Sequence, residues 1–157
     1  MTHEYRATVS WERNGETFSD NRYSRGHSWS FDGGVTVPAS ASPSVVPLPF
    51  SREDAVDPEE AFVAAVSSCH MLTFLSIAAK KRFVVDHYED RAVGIMTKND
   101  KGKLFVSKVT LDPQIEFSGE KRPTPELIAD MHHLAHQECF IANSVLTEVV
   151  VAGLPSH

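Results

Sequence analysis

Asp57-Pro58-Glu59-Glu60-Ala61-Phe62-Val63-Ala64-Ala65-Val66-Ser67-Ser68-Cys69-His70 opens a long helix, and the fold turns on where that helix lies. Asp57 can accept from the first free amides as an N-cap. Pro58 fits the first helical position, where a missing N–H costs nothing. Glu59 and Glu60 sit at the positive end of the helix dipole. The pattern runs to about Lys81, with Phe62, Val63, Val66, Met71, Leu72, Phe74, Leu75 and Ile77 spread over nearly every face. Such a helix must be covered on most sides, by sheet or by a second subunit. The run from Ala61 to Ala79 is long enough for a bilayer. Ser67, Ser68, His70, Thr73 and Ser76 interrupt it, so a buried central helix is the better reading and no membrane partner is expected.

Around this helix the sequence reads as strands. His3 to Arg13 is strand-like and ends in a turn at Asn14-Gly15. Tyr23 to Phe31 alternates loosely, and Asp32-Gly33-Gly34 turns the chain into Val35-Thr36-Val37. Pro38 to Pro49, rich in Pro, Ser and Ala, reads as a loop. Beyond the helix, Phe83-Val84-Val85 opens a second β region. Ala92 to Lys98 and Leu104 to Phe117 read as two strands joined at Asn99-Asp100-Lys101-Gly102, with a bulge or edge near Pro113. Thr124-Pro125-Glu126 starts a second helix, carried by Leu127, Ile128, Met131, Leu134 and Ala135 to about His136 or past Cys139. Val145 to Ala152 is a last strand. The predicted class is α+β in one domain spanning residues 1–157, without repeat or linker.

The 157 residues carry 15 basic and 21 acidic side chains, a formal net charge of -6. Nucleic acid is not an expected partner, because phosphate binding needs clustered Lys and Arg. Hydrophobic residues at 41% and charged residues at 23% are ordinary for a globular chain. Met1-Thr2-His3-Glu4-Tyr5-Arg6 is polar and no apolar core follows, so the expected location is cytoplasmic. In that compartment two cysteines are inert buried thiols or a transient catalytic pair rather than a structural staple.

Cys69 lies about three turns into the apolar helix, too far from its N-terminus for the dipole to help a thiolate. A cation from another segment has to serve. Arg25, in Tyr23-Ser24-Arg25-Gly26-His27, is the first candidate, with Arg22 and Arg13 behind it. Glu59 has two readings: it orients that guanidinium by a bidentate ion pair, or it only compensates the helix dipole. Cys139 stands late in the second helix pattern. It reaches Cys69 only if the helices cross with Cα atoms within roughly 7 Å. His70 points about 100° away from Cys69 and reads as a packing or interface residue.

The stretch from Asp57 to His70 resembles the signature of the OsmC/Ohr family: Asn/Asp-Pro-Glu, a small-residue apolar run, then Cys near mid-helix. Cys139 before Phe140-Ile141-Ala142-Asn143-Ser144 is similar to the family's second cysteine, and Cys69-His70 together with Tyr23-Ser24-Arg25-Gly26-His27 resembles an OsmC-like subgroup. The resemblance implies an OsmC-like fold with antiparallel sheets around a buried central helix. It implies an intertwined homodimer with two active sites at the interface. It also implies reduction of organic hydroperoxides, with hydrogen peroxide as a second candidate substrate. In that scheme Cys69 becomes a sulfenic acid, Cys139 resolves it as a disulfide, and an external dithiol resets the pair without any cofactor. Glu59 matches the family's arginine-orienting acid and Arg25 its arginine. Phe62, Leu72, Phe74 and Phe140 would line an apolar substrate pocket, although such side chains are more often plain core.

Two rival readings remain open at this point. His132, His136 and Cys139 fall at i, i+4 and i+7, and with Cys69 or His70 they would make a metal site. Alternatively, the chain is a non-catalytic module that binds an apolar ligand on the same fold.

Overall fold

A computed structural model describes residues 2–154, and Met1 of the polar opening lies outside them. The chain divides into two compact units, residues 1–61 and 62–157, with the boundary in the first turn of the long helix.

The first unit is a three-stranded antiparallel sheet: β1 (Ala7–Ser10), β2 (His27–Phe31) and β3 (Thr36–Ala39), in that order. The strand expected over His3 to Arg13 keeps only its middle. Asn14 and Gly15 then adopt left-handed φ angles of 54° and 77°, which makes the expected turn. The β2–β3 connection closes as predicted at Asp32-Gly33-Gly34, where the Phe31 amide donates to the Val35 carbonyl at 2.9 Å. Segment Pro38 to Pro49 is mostly loop, though β3 claims Pro38 and Ala39.

The long helix, α1, spans Pro58–Lys80. Its start is a reciprocal cap: the Glu60 amide donates to Asp57 Oδ1 and the Asp57 amide to Glu60 Oε1, both at 2.8 Å. Its end is a Schellman turn, in which the Phe83 amide donates to the Ala78 carbonyl and the Arg82 amide to that of Ala79. By length and composition α1 could cross a membrane. Its Val66, His70, Phe74, Ile77 and Ala78 are nonetheless buried in protein.

Two sheets complete the second unit. β4 (Val84–Asp90) pairs antiparallel with β7 (Pro113–Ser118), and β5 (Val93–Lys98), β6 (Leu104–Leu111) and β8 (Glu148–Val151) form the other, in that order. The single strand expected over Leu104 to Phe117 is therefore two strands in two sheets. The Asp112 amide leaves the ladder to donate to Asp90 Oδ1 at 2.7 Å, and Pro113 begins the next strand, where it need not donate. β8 runs parallel to β6, so this sheet is mixed rather than wholly antiparallel.

The second helix, α2 (Pro125–Glu138), is capped by the Thr124 hydroxyl, which accepts from the Leu127 amide at 3.2 Å. One core joins both helices to the β4–β7 pair through Phe74, Ile77, Ala78, Phe83, Met131 and Ala135. A second packs the first half of α1 on the mixed sheet through Val66, Val109 and Leu111, with Phe62 and Val63 against them. Gly94 permits that close approach: a Cβ there would lie 2.6 Å from Val63 Cγ2.

Candidate functional site

Crossing α1 over α2 brings the two cysteines together. Both are free thiols, Cys69 half-buried and Cys139 buried. Cys139 is the C-cap residue of α2, with extended backbone at φ -70° and ψ 116°. Its sulfur accepts from the Ala142 amide at 3.5 Å, and Cys69 is near enough to act on its thiol. Burial, and after it the neighbouring Cys69, pushes the Cys139 thiol up to about 11. At neutral pH Cys139 is thus held as a protonated thiol against the more accessible Cys69.

Beside the thiols lies a histidine pair. His70 is 1% exposed and His132 3% exposed, and His70 Nε2 lies 3.0 Å from His132 Nδ1. The two rings are nearly coplanar, 9° apart, and the His132 ring also packs on Phe74 at 4.4 Å between centroids. Burial pushes both imidazoles down to about 4; His136 adds to this at His70, and His70 and His133 add to it at His132. Both histidines are therefore neutral near pH 7. Below them the Ser67 hydroxyl donates to Asp90, whose charge opposes the depression at His70. The sequence reading missed this pair. The signal was present, because His70 keeps helical step with Val66, Phe74 and Ile77, and a polar ring on a buried stripe needs a partner.

The remaining expected site residues are spread differently. The Arg25 guanidinium, in the first unit, donates to the Asn21 carbonyl at 3.0 Å, to Asn21 Oδ1 at 2.7 Å and to the Tyr23 carbonyl. It also lies 3.7 Å over the Tyr23 ring. With three of its five N–H donors used locally, it makes no ion pair with Glu59 among the described residues, and the orienting pair that the family resemblance implied is not formed. Glu59 stands half-buried in the first turn of α1. Arg22 lies over the Phe50 ring, and Arg13 donates to the Glu16 carbonyl. Phe62 packs into the second core, whereas Leu72 and Phe140 are 61% and 81% exposed. Phe74, expected as pocket lining, is fully buried core.

His132 Nδ1 pairs with His70 Nε2. Among the described residues no group of three or more His, Cys, Asp or Glu side chains is placed to hold a metal ion. The first unit does contain a cavity of about 470 Å³, lined by Val9, Trp11, Phe18, Tyr23, Arg25 and His27 among others.

An α+β chain that sets a half-buried and a buried thiol against each other across two helices is, by fold and site, a two-cysteine protein of OsmC-like architecture. The sequence profile described as OsmC-like protein matches residues 51–152, and the chain belongs to that family. An OsmC-like protein of unknown function from Vibrio cholerae is 62% identical, with a TM-score of 0.93 over 96% of this chain and 98% of that one. An organic hydroperoxide resistance protein from Elizabethkingia anophelis has the same fold at 17% identity, with a TM-score of 0.69 over 96% of each chain. Another, from Legionella pneumophila, is 13% identical with a TM-score of 0.63, over 96% of this chain and 98% of that one. No curated protein matches the sequence.

Proposed function

We propose that this protein is a thiol peroxidase that reduces organic hydroperoxides, with hydrogen peroxide as a second candidate substrate, in oxidative-stress defence. The observation that carries the reading is the Cys69–Cys139 contact, with Cys139 buried and kept protonated. A protonated buried thiol is suited to wait, and the more accessible Cys69 is suited to strike first. Cys69, as thiolate, attacks the distal peroxide oxygen. The O–O bond breaks, the alcohol leaves with a proton, and Cys69 carries a sulfenic acid. The Cys139 sulfur then displaces that hydroxyl as water and forms the disulfide. An external dithiol returns two electrons and two protons by exchange, so no cofactor is required. Two organic hydroperoxide resistance proteins with this fold support the assignment.

Arg25 is the proposed cation for the Cys69 thiolate and for charge developing on oxygen. Phe62, Leu72 and Phe140 are the proposed apolar contacts. The exposure of Leu72, Phe140 and Leu146 supports a homodimer that covers them and completes the site. The proposed location is the cytoplasm, where a dithiol reductant is at hand.

The test is a single-turnover assay with cumene hydroperoxide. Cys69→Ser should consume no peroxide, and Cys139→Ser should consume one equivalent and stop with Cys69 as sulfenic acid. Full turnover by Cys69→Ser would reject the reading. Binding of an apolar probe in the cavity of the first unit, with no turnover by the wild type, would favour the ligand-binding module instead.

A further inference from the structure

The buried histidine pair has no part in the peroxide chemistry above, yet it ties together the two helices that carry the sulfurs. His70 follows Cys69 directly on α1. His132 lies seven residues before Cys139, two turns away along α2. One cross-helix hydrogen bond therefore sits beside one cross-helix thiol contact, and any slide or roll of α2 on α1 shifts both.

We propose that the His70–His132 hydrogen bond is a positioning strut that holds Cys69 and Cys139 in the geometry from which a disulfide can close. The inference rests on the two-cysteine reading of the site. A disulfide tolerates only a narrow range of Cα separations and a torsion near a right angle, so small slips between helices weaken it. The apolar packing of Phe74, Ile77, Met131 and Ala135 holds the helices close, but burial of apolar surface is non-directional. The imidazole bond is directional. Its 3.0 Å length and the 9° angle between rings place it nearly in the plane of both. The Phe74 ring packed on His132 limits ring rotation.

The tautomer follows from the partners. His70 Nδ1 is buried without a hydrogen-bond partner. An unpaired N–H there would be an orphan donor, so His70 carries its proton on Nε2 and donates to His132 Nδ1. The neutral state of both rings keeps one donor facing one acceptor. The groups acting on the pair are Asp90 from β4 and His133 and His136 from α2.

The experiment is equilibration of the full-length protein with mixtures of oxidised and reduced dithiothreitol. The protein dithiol passes two electrons and two protons to oxidised dithiothreitol and becomes the Cys69–Cys139 disulfide. His132→Phe keeps a ring against Phe74 but leaves His70 Nε2 unpaired, and should lower the equilibrium constant about tenfold. His132→Asn, which offers an oxygen near the Nδ1 position, should stay within about threefold of wild type. The double variant His70→Phe/His132→Phe leaves no orphan polar atom, so it provides a folded comparison if His132→Phe does not fold. It should also close the disulfide poorly. A wild-type constant in the folded double variant would overturn the strut, as would failure of the wild type to form the disulfide at all. This readout uses no peroxide. A wild type inert to hydroperoxide but with the expected ranking of constants would sink the peroxidase reading and leave the strut standing.

Discussion

Cys69 and Cys139, seventy positions apart in the chain, are neighbours in the folded protein, and Cys69 helps to hold the proton on the Cys139 thiol. The contact is unequal. One sulfur is half-buried near the middle of α1, and the other is buried at the C-cap of α2 with an amide donated to it.

That inequality gives a prediction for thiol chemistry. In Cys69→Ser, burial still opposes the Cys139 thiolate, which is the larger cause of its raised pKa. Iodoacetamide should therefore modify native Cys139 far more slowly than the same residue in urea at pH 8. The native rate should climb only as pH approaches 11. Rapid native alkylation at pH 8, followed by mass spectrometry, would show the thiol to be accessible and ionised.

The histidine pair predicts acid sensitivity. His70 and His132 titrate near 4 in the folded protein against a reference of 6.5. The unfolded chain therefore takes up protons first as pH falls. Their contribution is complete above pH 6.5 and is lost between there and pH 4, at up to about 1.4 kcal/mol per pH unit for each ring. The wild-type urea midpoint should drop between pH 7 and pH 5, and the double Phe variant should lose part of that slope. Parallel slopes for the two proteins would assign acid unfolding to other groups.

What the sequence disclosed was largely local. Asp57-Pro58-Glu59-Glu60 placed the start of α1, Thr124-Pro125 that of α2, and Asn99 to Gly102 the β5–β6 turn, because caps and turns are set by a few adjacent residues. The break at Asp112 was hidden. Alternation continues through it, and the amide is claimed by Asp90, twenty-two residues away. The parallel pairing of β8 with β6 was equally hidden, since pairing direction depends on non-local topology. At the site, both cysteines could be named from their helix positions and the family resemblance. The fate of Arg25 could not, because its partners are set by a backbone path in which Asn21 takes a φ of 64°.

Gly94 tests the helix–sheet approach that fixes the Cys69 half of α1. An added methyl would lie 2.6 Å from Val63 Cγ2 and 3.4 Å from Val106 Cγ1. Val63 is β-branched on a helix and has little rotamer freedom to withdraw. Gly94→Ala should cost about 1–3 kcal/mol in urea unfolding. Adding Val63→Ala should recover part of that loss, because it removes the methyl that clashes. Two independent losses that simply add would place the clash elsewhere.

The other end of α1 offers a gain. Arg82 occupies the left-handed position of the Schellman turn with φ 64°, where glycine is the usual residue, and its side chain is exposed. The turn is needed, because it delivers Phe83 into the core shared by α1, α2 and the β4–β7 pair. Arg82→Gly should stabilise the protein by about 0.5–1 kcal/mol, since relief of the Cβ strain outweighs the entropy added to the unfolded chain. For a chain of this size that corresponds to roughly 1–4 °C in melting temperature. Arg82→Ala separates the cause: it removes the charge and the long side chain but keeps the Cβ, so it should gain nothing. Equal stabilisation by alanine would mean that charge near Lys80 and Lys81, rather than backbone conformation, was the cost at this turn.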